Sequence, residues 1–159
     1  MADEKDLVQA KITFDTLCEM LDERGWNYKK FDEDFSIECG AQGDDLPMDI
    51  RMEVDADRML VALYSKLPFN IPEDKRVDVS LAISAINYTM IDGSFDYNFM
   101  NGKLLFRLTT SFRDSMISTA ALSYMLSVSC GTIDEYNDKL FMLIKGMMSL
   151  EDIIKAANE

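Results

Sequence analysis

Apolar residues recur along this chain at two periods, and the switches between them mark the elements. From residue 4 to 24, Leu7, Ala10, Phe14, Leu17, Cys18 and Leu21 fall at spacings of three, four and one, which predicts a helix with a single apolar stripe. Gly25 follows where a left-handed residue closes a helix. From residue 26 to 65 the period drops to two. Phe35, Ile37 and Cys39 alternate with Ser36 and Glu38, a turn segment GAQGDD intervenes, and Ile50, Met52 and Val54 alternate with Arg51 and Glu53. A hairpin with its tip at Ala56-Asp57 would set Val54 against Met59, Met52 against Val61 and Ile50 against Leu63, all on one apolar face. Asp49, Arg51, Glu53, Ala62 and Tyr64 then share the wetter face.

A second helix is expected from Pro72, which suits a first helical turn, to about Met90. It carries two stripes: Val79, Ile83, Ile86 and Met90 form one, and Val77, Leu81, Ala85 and Tyr88 the other. A helix apolar over so wide an arc is sandwiched between neighbours or shared with another subunit. Gly93 stops it. Phe95, Tyr97 and Phe99 then alternate with Asp96 and Asn98 up to Asn101-Gly102, the strongest short hairpin signal. A two-residue turn there would pair Phe99 with Leu104, Tyr97 with Phe106 and Phe95 with Leu108, and set Asp96 opposite Arg107. A long helix is expected from an N-cap at Ser115, with Gly131 as a point of kinking or breakage, and a short one from 150 to 156. The order α-βββ-α-ββ-α, with strands grouped in hairpins, defines an α+β class with an antiparallel sheet of about five strands. The whole of 1–159 is read as a single domain.

The stretch IDGSFDYN, Ile91 to Asn98, places Asp92, Ser94, Asp96 and Asn98 at alternate positions, as a calcium loop begins. Such a loop needs Gly at its sixth position and Glu at its twelfth; Tyr97 and Lys103 stand there. The stretch reads as the polar face of a strand, and no metal or cofactor is expected.

Composition narrows the chemistry further. The chain has no His, so the commonest general base and metal ligand is missing. Cys18, Cys39 and Cys130 are far apart and form no C-x-x-C, and read as reduced thiols. There is no Walker A motif, no G-x-G-x-x-G and no nucleophile elbow. The acidic runs Asp32-Glu33-Asp34 and Asp44-Asp45 lack a partner base and read as turns. No catalytic residue is assigned, and the protein is read as not an enzyme. A net charge of −13 opposes binding to nucleic acid and to anionic membrane and favours a basic partner. MADEKDLVQA has no apolar leader core, and the expected location is cytoplasmic.

A family resemblance rests on Leu67 to Arg107: Leu67-Pro68, Ile71 to Arg76 (IPEDKR), Ile86-Asn87, Gly93 with Phe95, Asn101-Gly102, and Arg107. These residues resemble the YbjN-like bacterial proteins, described as sensory transduction regulators, and the likeness spans Trp26 to Gly146. The element order is similar to that of type III secretion chaperones, which are small, acidic, usually dimeric proteins that hold an unfolded stretch of a client. The resemblance implies a protein-binding module, chaperone-like or regulatory, acting as a homodimer on another protein whose identity the sequence does not give. Expected partner-binding residues are Ala62 and Tyr64 on the sheet and Met142, Met147 and Met148 after the long helix; the expected dimer stripe is Val77, Leu81, Ala85 and Tyr88. The alternative is a small-ligand-binding protein or an enzyme with an unfamiliar site.

Overall fold

The computed structural model describes residues 1–159. Helix α1, Glu4–Glu23, opens with a reciprocal cap in which Asp3 and Asp6 each accept from the other's backbone N–H. It closes at Gly25 (φ +68°) in a Schellman pair, with Gly25 N donating to Asp22 O at 3.0 Å and Trp26 N to Leu21 O at 2.9 Å. Ala10, Phe14, Leu17, Cys18 and Leu21 are buried as the stripe predicts, whereas Leu7 stays exposed.

Six strands follow, one more than expected: β1 (Tyr28–Phe31), β2 (Ser36–Gln42), β3 (Pro47–Asp55), β4 (Leu60–Lys66), β5 (Ser94–Asn98) and β6 (Lys103–Ser111). Their order is β1-β2-β3-β4-β6-β5, antiparallel throughout. The extra strand, β1, has the sequence YKKF and no apolar alternation. Its pairing with β2 holds it as an edge strand, where lysines discourage further pairing. The acidic run at 32–34 lies in the turn between these strands, and Asp44-Asp45 lie in a bend.

Both hairpins are shifted by two residues from the expected registers. Val54 pairs with Val61 and Met52 with Leu63, because the turn takes four residues, Ala56 to Met59. Asp55 Oδ1 accepts from Arg58 N at 2.9 Å, and Met59 adopts φ +57°. In the second hairpin Phe95 pairs with Phe106 and Tyr97 with Leu104, and the turn runs from Phe99 to Gly102. Only Gly102 takes positive φ, so the two-residue I′ turn does not form. That turn is docked on a distant segment: Ile71 N donates to Gly102 O at 2.9 Å. A shift of two preserves the side-chain alternation, so every residue stays on its predicted face. Asp96 faces Leu105, and its ion pair with Arg107 (2.9 Å) forms along the diagonal.

A short 3-10 turn, Glu73–Lys75, leads into α2, Arg76–Thr89. Helix α3, Thr119–Ile144, runs without interruption through Gly131. Its N-cap is Ser118, whose Oγ accepts from Ala121 N, and not Ser115. The Ser115 segment is tied instead to α1, where Gln9 Nε2 donates to Phe112 O and Ser115 O. Helix α4, Leu150–Ala157, is capped by Ser149 and Asp152. α1 and α3 lie across one face of the sheet, α2 against β5, and α4 against α2 and α3. One core of 34 buried residues fills the space between. The other face of the sheet carries no helix.

Candidate functional site

Three uncovered surfaces emerge from this arrangement. The first is the outward side of α2. Val79, Ala82, Ile83 and Ile86 are buried, while Val77 (60% exposed), Leu81 (51%) and Tyr88 (89%) project from the opposite side, with Ala85 half-buried beside them. The stripe continues past the helix end through Ile91, which is almost wholly exposed. Tyr124 of α3, itself exposed, donates from its hydroxyl to Asp92 Oδ2 at 2.6 Å and borders the same region. Ile91 lies beyond the repeat of α2, and Tyr124, which the periodicity of α3 assigns to an apolar stripe with Ile117, Ala121, Met125 and Val128, is instead exposed.

The second surface is the bare face of the sheet. One row of residues crosses all six strands: Lys29, Glu38, Arg51, Tyr64, Arg107 and Ser94. Tyr64 is half-exposed there, but Ala62 has no exposed surface and lies outside the main core. Ala62 sits between Glu53 and Thr109 and is too short to clear them, so it cannot itself contact a partner in this conformation. Arg51 binds Glu38 (3.1 Å) and Glu53 (3.4 Å). A concavity of about 1010 Å³ opens on this face, and a second of about 610 Å³ adjoins it; Tyr64 lines both.

The third surface is the loop after α3. Gly146 (φ +70°) ends the helix, and Met147 N donates to Met142 O at 2.8 Å. Met147 is exposed, Met142 is half-buried, and Met148 packs on the core. These methionines stand on the helical side, so the sheet separates them from Tyr64. The two candidate partner surfaces are therefore separate.

Nothing in these surfaces forms a catalytic constellation. Asp92 and Asp96, the acids of IDGSFDYN, are held by Tyr124 and by Ser94 with Arg107. Burial pushes the Cys39 and Cys130 thiols up to about 11, so neither is an activated nucleophile at neutral pH. The residues that carry the family resemblance turn out to be joints. Asn87 donates to Phe95 O and accepts from Phe95 N, both at 2.9 Å, locking α2 to β5. Gly93 (φ +77°) has no room for a Cβ, which would lie 2.5 Å from the Phe106 ring. Arg76 Nη1 donates to Met100 O at 2.9 Å.

A six-stranded antiparallel sheet with helices in this order is the α+β fold of type III secretion chaperones. A family model described as "Putative bacterial sensory transduction regulator" (YbjN) matches residues 13–142, and the chain belongs to the YbjN family. Among solved structures, E. coli YbjN is similar at 16% identity, with a TM-score of 0.58 over 79% of this chain and 92% of that one. The ExsC–ExsE complex matches at 14% identity and TM-score 0.57, over 80% and 92% of the two chains. The HopA1–SchA chaperone–effector complex matches at 13% identity and TM-score 0.50, over 92% and 98%. No curated protein matches by sequence. At these identities the likeness establishes the fold.

Proposed function

We propose that this protein is a non-enzymatic binding module, chaperone-like or regulatory, which works as a homodimer and grips a segment of another protein. The observation that carries this reading is the α2 stripe: Val77, Leu81 and Tyr88 leave apolar surface uncovered for three turns, directly opposite a fully buried face. A contiguous exposed apolar patch of that kind marks an interaction site. Isologous pairing is the commonest way to cover one. The fold supports the same reading, since ExsC is solved with ExsE, and SchA with HopA1 as a chaperone–effector pair. No helix here is long and apolar enough to cross a membrane. A cytoplasmic location belongs to the same proposal, since three unpaired thiols suit a reducing compartment. Exposed Met147, with half-buried Met142 beside it, offers a smaller adaptable contact surface on the helical side, and Met148 supports it from the core.

A second reading, a small-ligand protein, draws on the sheet-face concavity of about 1010 Å³. Light scattering coupled to gel filtration tests the first. A species of twice the 18.1 kDa chain mass is expected at micromolar concentration. Replacing Leu81 and Tyr88 by Glu should convert it to monomer. A wild-type monomer removes the dimer. A metabolite that co-purifies stoichiometrically, with no protein client found, favours the second reading.

A further inference from the structure

We propose that the second half of α3, between Gly131 and Gly146, is a strap that swings off the sheet as one unit, and that the unpaired amide of Asn137 sets how often it does so. The motion belongs to the chain itself and does not depend on the binding reading above.

Buried polar groups are normally paired, because one left without a partner forfeits its hydration for nothing. Thr13 of α1 follows that rule, donating from Oγ1 to Gln9 O at 2.9 Å. α3 breaks it twice. Ser129 has no exposed surface and Asn137 is 1% exposed, yet Ser129 Oγ, Asn137 Oδ1 and Asn137 Nδ2 bond to nothing in the protein. These are three of the six buried side-chain atoms left unpaired; the other three are scattered over β2, α2 and β5. Asn137 sits one helical turn from each of two anchors. Asp134 Oδ1 accepts from Asp44 N at 2.9 Å, shortly before β3 begins, and the Phe141 ring lies 5.6 Å from that of Phe69, shortly after β4 ends. The amide is thus held over the end of the sheet where the core residues are Met48 and Leu67, which offer it no side-chain partner.

The two halves of α3 are anchored differently. The first is tied to the end of α1, where Arg24 Nη1 donates to Ser123 O (3.2 Å), Ser123 Oγ (2.8 Å) and Ser127 Oγ (2.9 Å). The second is held mainly by burial of Ile133, Leu140 and Leu143. Between them Gly131 weakens the helix locally, and nothing lies within 4 Å of where its Cβ would stand. Gly146 (φ +70°) closes the far end, and α4 beyond it packs on α2. The segment between the two glycines therefore has a soft joint at each end. Closed, its apolar side chains are buried; open, water bonds the Asn137 amide. That gain favours opening by on the order of tenfold to a hundredfold over a chain with an apolar side chain of the same shape. Opening uncovers Met48, Leu67, Ile133 and Leu140 together, an apolar surface that stays hidden at rest.

Native-state hydrogen exchange of the isotope-labelled full chain, resolved amide by amide, is the test. Amides of residues 134–144 should exchange through one shared opening, at least about tenfold faster relative to their intrinsic rates than those of residues 122–128 in the same helix or 14–21 in α1. Asn137→Leu, which removes the amide at nearly constant shape, should slow that opening about tenfold or more while changing exchange at 122–128 less. Gly131→Ala should slow the same group severalfold. Equal protection along the whole of α3 overturns the strap. Exchange in Asn137→Leu that is unchanged, faster, or slowed equally everywhere overturns the part given to the amide, and so does a leucine variant that is less stable than wild type or fails to fold, because Asn137 would then be satisfied in the closed state. None of these outcomes bears on the dimer or the client, which stand or fall on oligomeric mass and on what co-purifies.

Discussion

Gly102 and Gly131 predict opposite responses to the same substitution. Gly102 holds φ +71°, and a Cβ there would lie 2.4 Å from the backbone oxygen of Ile71. Gly102→Ala should cost about 2 kcal/mol or more, because left-handed strain and a backbone clash add. Gly131 is inside α3 with helical geometry, and a methyl group there would meet nothing within 4 Å. Gly131→Ala should stabilise the protein by about 0.5–1 kcal/mol by reducing the entropy of the unfolded chain. Urea midpoints of the two variants decide both. The thiols make a pH prediction at the same scale. Burial raises Cys39 and Cys130 from 9.0 to about 11, so the folded state holds their protons more tightly than the unfolded chain does. Their contribution is full below pH 9 and is lost as pH rises towards 11. The melting temperature should fall over that interval, and the fall should be shallower in Cys39→Val. An equal slope in the variant would exclude the thiol as its origin.

Among the elements, α3 shows how a helix start is chosen. Ser115 and Ser118 both precede apolar periodicity and both can cap. Ser118 caps because the chain from Phe112 to Ser115 is held in a turn, with Ser115 N bonded to Phe112 O and two carbonyls given to Gln9. Ser118→Ala should therefore cost about 1 kcal/mol in thermal or urea unfolding. Ser115→Ala should stay within about 0.5 kcal/mol. Comparable losses at both sites would mean that the cap is shared. The same contest between local preference and distant contact explains the hairpins. Asn101-Gly102 favours a two-residue turn, but bonding Gly102 to Ile71 supports a four-residue one. Helix α1 met no such competitor, and its stripe from Ala10 to Leu21 and its closing glycine were legible in advance. β1 was not, since two lysines between two aromatics carry no period; its existence depends on the pairing edge of β2.

In the whole molecule, the doubly apolar α2 predicts assembly: Glu at Leu81 and Tyr88 should split the proposed dimer without unfolding the protomer, because both residues point away from the core. The chain by itself determined which residues share a face. Periods of 3.6 and 2 assign a face to each residue whatever its neighbours, and that is why Phe95, Tyr97, Phe106 and Leu104 kept their side through a register slip of two. It also determined the class of fold, through the order of those periods. Tertiary structure decided what periodicity cannot encode, namely which face of a strand or helix remains uncovered and which distant residues lie side by side there. Ala62 and Tyr64 looked equivalent as alternate residues of one strand, yet neighbours on β3 and β6 bury the first and leave the second half open. Met142 and Tyr64, both named as candidate contact residues, stand on opposite sides of the sheet. Lys29 and Lys66 are 37 positions apart in the chain. They come to lie on one bare face of the sheet because antiparallel pairing aligns β1, β2, β3 and β4, a placement fixed by hydrogen bonds between strands and invisible in any single one.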